Sequence, residues 1–274
     1  LRANCRQRDV YIVQPLVPPT QENLMELLMM VDAARGASAA QVTVVMPHYA
    51  YARSDKKDAP RISIGGRLVA DLIHTAGANR VLTMNLHAEQ VHGFFSMPVD
   101  HLTALPVLAR HFRSRDLSNT VVISPDFGNA KDANRFARML GVPMAAGSKR
   151  RQADDKVVID AIVGKVGGKD AIILDDEIAT AGSVVELMDT VRRYHVNSIS
   201  IACTHGLFSG KAVERLNAVP DIVEIVSTNT VPAPEGLDRL TTVSVAPLFA
   251  EAVRRINCGE SVSGLFSDED TYGE

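Results

Sequence analysis

The feature that most constrains the fold is an alternation of short apolar runs, rich in β-branched residues, with longer segments of helical periodicity. Such runs, joined by helices, are typical of parallel sheets covered by crossover helices, so we expect an α/β fold with parallel sheets flanked by helices. The pattern predicts strands over 9–14, 41–46, 80–86, 120–124, 157–162, 170–174, 197–203, 222–227 and 241–245. It predicts helices over 21–34, 63–76, 103–114, 130–140, 183–194 and 246–257.

The length of the chain predicts more than one domain. With 274 residues, 46% of them hydrophobic, it can bury its own core and has the size of about two domains. A turn-like break near Pro98 to His101 separates two sets of strand and helix patterns. We therefore predict an N-terminal domain over 1–99, a C-terminal domain over 100–266 and an acidic, polar tail over 267–274.

Composition excludes several classes of partner. A net charge of -3 leaves no basic footprint for nucleic acid, and no run of about 18 apolar residues predicts a membrane span. Cys5, Cys203 and Cys258 lie far apart and form no Cys-x-x-Cys pair, so neither a disulfide framework nor a zinc knuckle is indicated. The pattern favours a reducing, cytoplasmic setting.

The richest candidate site is the junction between the strand at 170–174 and the helix at 183–194. Ligands of open α/β sheets bind at such strand ends, beside helix N-termini. Thr180 to Ser183 can offer backbone N–H groups and hydroxyls to a phosphate. Asp175 and Asp176 beside that phosphate would accept hydrogen bonds from sugar hydroxyls or hold a cation. The same residues also fit a helix cap with an acidic first turn.

This junction, ILDDEIATAGS, resembles the ribose-phosphate loop of type I phosphoribosyltransferase-fold proteins. The whole chain is similar to the ribose-phosphate pyrophosphokinase, or phosphoribosyl pyrophosphate synthetase, family, whose motifs occur here in the family's order. The similar stretches are DVYIVQP (9–15), NLMELL (23–28), YARSDKK (51–57), NLHAEQ (85–90), GFF (93–95), SPD (124–126), THGLFS (204–209), TNT (228–230) and GESVS (259–263). The resemblance implies two type I phosphoribosyltransferase-like domains.

The resemblance also implies an activity. It is the transfer of diphosphate from ATP to the C1 hydroxyl of ribose 5-phosphate, giving phosphoribosyl pyrophosphate and AMP for nucleotide biosynthesis, with Mg²⁺ as cofactor. It implies a homo-oligomer in which dimers assemble to a hexamer. Family members carry an adenine-binding Phe-x-Asp-Gly-Glu stretch before the strand that matches 9–14, and we expect this chain to lack that N-terminal segment.

The implied substrate-binding residues fall in two loops. Ribose 5-phosphate would be bound by Asp175, Asp176, Ala179, Thr180, Ala181, Gly182 and Ser183. ATP would be bound by Arg53, Ser54, Asp55 and Lys56. Arginine supplies a planar fork and lysine a mobile charge, which suits a polyphosphate. From composition alone, the second loop also fits a solvated basic turn.

The implied metal and catalytic residues lie on three further segments. His87 and Asp126 would contact the magnesium of ATP, which needs few protein ligands, although a lone histidine at a strand end also fits a structural role. Lys149 and Arg151, in a polar loop over 147–155, match a mobile catalytic pair that neutralises the transferring phosphates. Consecutive cations there also fit a solvated hairpin tip.

Three alternatives remain open at this point. The chain could be a catalytically weak, synthetase-like regulatory subunit that associates with active homologues. It could be a phosphoribosyltransferase that uses the same loop with a different partner. An unrelated Rossmann-type nucleotide binder is disfavoured, because no Gly-x-Gly-x-x-Gly follows the first strand.

Overall fold

The computed structural model describes residues 1–153 and 156–266, and the side-chain surroundings of all of these except 149–160 and 266. The chain divides into two compact units: unit 1 contains residues 1–103 and the segment that starts at Ala246, and unit 2 contains residues 104–245. The predicted boundary between 99 and 100 lies close to this division. The segment from Ala246 is grouped with unit 1, although the sequence pattern places it in the C-terminal domain over 100–266. The predicted tail lies outside the described residues.

Unit 1 is built on a parallel sheet in which four strands follow one another in sequence order. The strands are β1 (Asp9–Val13), β2 (Gln41–Met46), β3 (Arg80–Met84) and β4 (Val99–Leu102). The helices are α1 (Thr20–Gly36) and α2 (Gly65–Ala76). The core forms because the apolar strand residues and one face of each helix bury together, as with the fully buried Leu27, Val44 and Ile73.

Strand β4 occupies the segment in which a turn-like break was predicted, so that prediction was wrong. The segment carries polar residues and lacks a β-branched run, which is why its sequence gives no local strand signal. Parallel pairing with β3 makes it a strand, and an ion pair between Arg80 Nη1 and Asp100 Oδ2, 2.6 Å long, supports that pairing. Tertiary pairing here overrides local preference.

Unit 2 is built on a seven-stranded sheet in the order β11, β10, β9, β8, β5, β6, β7, in which all pairs except β6 with β7 are parallel. The strands are β5 (Thr120–Ser124), β6 (Met144–Ala153), β7 (Lys156–Val163), β8 (Asp170–Ile178), β9 (Ser198–Gly206), β10 (Ile222–Thr228) and β11 (Leu240–Val243). The helices are α3 (Leu105–Arg113), α4 (Ala130–Leu140), α5 (Gly182–Arg193) and α6 (Ala212–Asn217). Helix α7 (Ala246–Cys258) follows the unit.

The ribbon of β6 and β7 corrects a second prediction. Residues 147–153 belong to β6 rather than to a polar loop, and β6 pairs antiparallel with β7 from Ala146 opposite Val163 to Ala153 opposite Lys156. Lys149 and Arg151 therefore lie on a strand. The sequence could not show this, because the strand depends on a partner that arrives later in the chain. Helix α6 was also not predicted.

The longest helix of the described residues is α1, with 17 residues. Among the residues that the structure describes, no helix is long and apolar enough to cross a membrane.

Candidate active site

The carboxyl ends of β5 and β8 bring three aspartates to one edge of the unit 2 sheet. Asp175 and Asp176 lie near the end of β8, and Asp126 follows the parallel neighbour β5 by two residues. Asn129 joins the two strand ends, because its N–H donates to Asp126 Oδ1 over 3.0 Å and its side-chain amide donates to the carbonyl of Leu174 over 3.0 Å. The structure thus brings Asp126, Asp175 and Asp176 into one neighbourhood.

This neighbourhood is electrostatically unfavourable for anions. Burial raises the pKa of Asp175 well above its usual range, and the charge of Asp176 raises it further, with a smaller contribution from Asp126. The N–H of Asp176 donates to Asp175 Oδ1 over 2.9 Å, which partly offsets these effects. Groups that donate hydrogen bonds, or a cation, would relieve the strain at Asp175.

The loop after β8 changes direction at Ala181. This residue is buried and has a left-handed backbone, with φ of 58° and ψ of 8°. Its carbonyl accepts from the N–H of Val185 over 3.0 Å, so α5 begins directly after it. Thr180 and Ser183 are exposed beside the first turn of α5. Two hydroxyl-bearing residues are therefore exposed beside the N-terminus of a twelve-residue helix, where backbone amides lack partners within the helix.

The predicted ATP loop of unit 1 is held by two of its own side chains. Ser54 Oγ accepts from the N–H of Gly65 over 2.8 Å, and the Ser54 carbonyl accepts from Gly66 over 3.0 Å, which fixes the start of α2. Asp55 Oδ2 accepts from the side-chain amide of Gln90 over 2.6 Å. Arg53 and Lys56 are exposed on either side of these anchored residues.

His87 lies in a turn after β3 that is fixed by backbone contacts. Asn85 has a left-handed φ of 38° and donates its N–H to the carbonyl of Leu102 over 3.0 Å. The N–H of Leu86 donates to His101 Nε2 over 2.8 Å. Burial lowers the pKa of His101 to about 4, which keeps this imidazole neutral and able to accept that bond. The side chain of His87 is exposed beyond these anchors.

The remaining predicted site residues are His87, Asp126, Lys149 and Arg151. His87 belongs to unit 1 and Asp126 to unit 2, and only the backbones of Lys149 and Arg151 are described. In the described part of the chain, no group of three or more His, Cys, Asp or Glu side chains could hold a metal ion.

The comparisons with known proteins decide the family. Residues 1–77 match the model of the N-terminal domain of ribose phosphate pyrophosphokinase, and residues 152–267 match a phosphoribosyl synthetase-associated domain. The chain is 51% identical over 269 residues to the ribose-phosphate pyrophosphokinase of Deinococcus radiodurans, covering 96% of this chain and 84% of that protein. The chain belongs to the ribose-phosphate pyrophosphokinase family. A Streptomyces coelicolor protein that carries the same name provisionally is 64% identical over 268 residues, which cover 97% of this chain and 84% of that protein.

A solved structure agrees with this assignment. The phosphoribosylpyrophosphate synthetase of Mycobacterium smegmatis matches with a TM-score of 0.87 and 37% sequence identity, over 94% of this chain and 86% of that one. The predicted fold class is thereby confirmed: the chain has the phosphoribosyltransferase-type fold of ribose-phosphate pyrophosphokinases.

One residue beside the candidate site was not predicted from the sequence. Arg215, on α6, donates from Nη1 to the carbonyl of Thr180 over 2.8 Å. It lies outside every stretch that resembles the family's motifs, so only its spatial position points to it.

The backbone of Ala181 generates a first prediction. Ala181→Gly should relieve a left-handed penalty of about 1–2 kcal/mol while losing a buried methyl group worth about 0.8 kcal/mol. We therefore expect the free energy of unfolding to stay within about 1 kcal/mol of the unsubstituted protein. Thermal unfolding followed by circular dichroism measures it. The matched control Ala171→Gly, at a buried strand position of β8, should destabilise, and equal destabilisation of both variants would contradict the strain at Ala181.

The raised pKa of Asp175 generates a second prediction. A raised folded-state pKa means that the folded protein holds the proton more tightly than the unfolded chain, so stability falls as pH rises through the ionisation of Asp175. Asp175→Asn should therefore raise the free energy of unfolding of the ligand-free protein near pH 8. At acid pH, where Asp175 is protonated, the substitution should change this free energy less. Urea unfolding at several pH values measures this. Asp189→Asn, on the exposed face of α5, is the control, and a loss of stability in Asp175→Asn at pH 8 would refute the argument.

Proposed function

We propose that this chain acts as a ribose-phosphate diphosphokinase, an enzyme that transfers diphosphate groups. It transfers the β,γ-diphosphate of ATP to the C1 hydroxyl of ribose 5-phosphate and yields phosphoribosyl pyrophosphate and AMP. The observation that carries this proposal is the 51% identity, over 96% of the chain, to a protein named for this activity. The junction between β8 and α5 supports the proposal, because carboxylates at a strand end beside a helix N-terminus suit a sugar phosphate.

Ribose 5-phosphate is assigned to that junction. Exposed hydroxyls of Thr180 and Ser183, with the amides of Ala179, Ala181 and Gly182, would bind the 5-phosphate at the positive end of α5. Asp175 and Asp176 would accept hydrogen bonds from the ribose hydroxyls, which offsets the desolvation of Asp175. These bonds orient the C1 hydroxyl for attack.

ATP is assigned to the loop after β2. Arg53 and Lys56 are exposed and carry the charges that suit a polyphosphate. Ser54 and Asp55 would contribute by holding the loop in place. The side chain of Ser54 accepts a hydrogen bond from the N–H of Gly65, and that of Asp55 accepts one from the side-chain amide of Gln90. In this proposal two residues bind the nucleotide directly and two keep them in place.

Mg²⁺ is assigned to His87 and Asp126. The donor set fits such an ion, because Asp126 lies among carboxylates whose mutual repulsion a divalent cation reduces, and Mg²⁺ takes most of its ligands from phosphates and water. When bound, the ion would neutralise charge on the phosphate oxygens of ATP. The N–H of Asn129 donates to Asp126 Oδ1 and so holds this carboxylate at the end of β5.

The transfer step needs no covalent enzyme intermediate. The O1 of the C1 hydroxyl attacks the β-phosphorus and its proton is released to solvent. The bond from that phosphorus to the bridging α,β-oxygen breaks, and AMP leaves with the bridging oxygen. Lys149 and Arg151 would neutralise charge that develops on the transferring group. The buried thiol nearest the site is not a candidate nucleophile, because burial raises the pKa of Cys203 to about 12.

The comparisons do not favour the alternative of a weak regulatory subunit. The relatives reported above carry the enzyme's name, as does the solved structure. A cytoplasmic location, and the absence of nucleic acid partners, stay predictions.

The activity and the role of Lys149 are tested together. AMP formation from ATP and Mg²⁺ should depend on ribose 5-phosphate, and Lys149→Ala should lower turnover by roughly two to three orders of magnitude, as for loss of one transition-state donor. Lys165→Ala, at an exposed site in the same unit, is the matched control and should keep normal turnover. AMP formation that does not depend on ribose 5-phosphate would refute the proposed activity. Near-normal turnover in Lys149→Ala would refute only the catalytic role of Lys149.

We further propose that the chain forms homo-oligomers, with dimers assembling to a hexamer. Exposed apolar side chains on unit 1 support this. Met25 and Met29 on α1 are 58% and 66% exposed, and Val13 on the edge strand β1 is 63% exposed. Met25 and Met29 are one helical turn apart on the same face of α1, and exposed apolar side chains grouped in this way are typical of protein interfaces.

Assembly generates a further prediction. The double variant Met25→Glu and Met29→Glu should lower the mass in solution, since a carboxylate in an apolar interface costs several kcal/mol of association free energy. Light scattering coupled to size-exclusion chromatography measures the mass. The control Val223→Glu changes an equally exposed apolar residue of unit 2 and should leave the mass unchanged. An unaltered mass in the double variant would place any interface elsewhere.

A further inference from the structure

The segment after β9 donates hydrogen bonds to three successive carbonyl groups, those of the last residue of β8 and of the first two residues of the loop that follows it. The carbonyl of Ile178 accepts from the N–H of Phe208 over 3.0 Å, and that of Ala179 accepts from Ser209 over 2.8 Å. The carbonyl of Thr180 accepts from a side chain, Arg215 Nη1, over 2.8 Å. Three consecutive peptide groups are therefore held from one side.

This arrangement determines where the amides of the loop point. In a trans peptide the C=O and the following N–H point in opposite directions. Holding the carbonyls of residues 178, 179 and 180 toward the segment after β9 turns the N–H groups of Ala179, Thr180 and Ala181 toward the opposite side. Successive N–H groups that point one way form an anion-binding nest, and α5 begins directly after them.

Arg215 holds the last and most demanding of these peptides. The peptide between Thr180 and Ala181 leads into the left-handed residue of the loop, where alanine pays a conformational penalty. The first two carbonyls are held by backbone N–H groups, which any residue at 208 or 209 other than proline supplies, whereas the third depends on the identity of one side chain.

The position of Arg215 is well defined and close to the phosphate site. Its helix α6 carries the fully buried Ala212 and Leu216, and the N–H of Ala212 donates to the carbonyl of Ser209 over 3.2 Å. Arg215 Nη1 would lie only 3.5 Å from a Cβ atom at Gly182, so the guanidinium reaches the first residue of α5. Arginine has five N–H donors, and one of them suffices for Thr180.

We propose that Arg215 is a positioning residue for ribose 5-phosphate: it holds the Thr180–Ala181 peptide with its N–H toward the 5-phosphate and keeps a positive charge beside that phosphate. This inference rests on the proposed function, because it takes the anion in the loop to be the phosphate of ribose 5-phosphate. The role is distinct from that of the loop residues themselves, since Arg215 acts through the backbone of Thr180.

The test compares the two substrates. Arg215→Ala should raise the KM for ribose 5-phosphate about tenfold, the size expected for loss of one charge-assisted hydrogen bond, and leave the KM for ATP within about twofold. Arg215→Lys should restore part of the effect, because lysine keeps the charge and one donor but loses the fork, whereas Arg215→Gln should not. Arg193→Ala, an exposed arginine at the end of α5, is the matched control and should change neither KM.

Direct binding separates positioning from general stability. Titration with inorganic phosphate, followed by ³¹P NMR, should show weaker binding in Arg215→Ala than in the Arg193→Ala control. If Arg215 only stabilises the fold, Arg215→Ala would lower the unfolding temperature and change the KM values for both substrates equally. That result would overturn the proposal. If Arg215→Ala does not fold, the ratio of the two KM values in Arg215→Lys and Arg215→Gln decides the same question.

The outcome is distinguishable from failure of the proposed function. Unsubstituted protein that forms no ribose-dependent AMP would refute the function. Active unsubstituted protein with an unchanged KM for ribose 5-phosphate in Arg215→Ala would refute only the role of Arg215.

Discussion

The parallel pairing of β8 with β5 on one side and β9 on the other is the constraint on which the candidate site depends. This pairing places Asp126, Asp175 and Asp176 at the same edge of the sheet, although Asp126 is about fifty residues away along the chain. It also places the segment after β9 against the loop after β8, where its donors meet the carbonyls of that loop. Without this register the loop would have no fixed orientation for its amides.

The site carries features that oppose stability. Asp175 is desolvated beside another carboxylate, and Ala181 holds a left-handed backbone that glycine would adopt more easily. A bound ligand would offset both destabilising features. Sugar hydroxyls donate hydrogen bonds to carboxylates, and a phosphate accepts hydrogen bonds from the ordered amides of the loop. These destabilising features are concentrated at one loop, whereas the surrounding strands are buried and apolar. This distribution is typical of a ligand-binding loop.

Unit 1 uses neighbouring residues to hold its candidate functional loops. Ser54 anchors the start of α2 beside Arg53, and the neutral imidazole of His101 accepts from Leu86 beside His87. Neither contact requires a ligand. The exposed cationic and imidazole side chains are therefore presented by backbones that are already ordered, which lowers the entropy that binding must overcome.

The sequence by itself determined the alternation of strands and helices, the family and the residues of the loop after β8, because apolar periodicity and contiguous motifs are local properties of the chain. Tertiary structure decided the rest. Strand β4 and residues 147–153 of β6 are extended because a partner strand supplies their hydrogen bonds. Helix α7 groups with unit 1 although it follows unit 2 in sequence. The role of Arg215 could be inferred only from its position in the tertiary structure. Its distance from Thr180 is set by how β9 and α6 pack beside β8, and long-range packing leaves no periodic signal in one sequence.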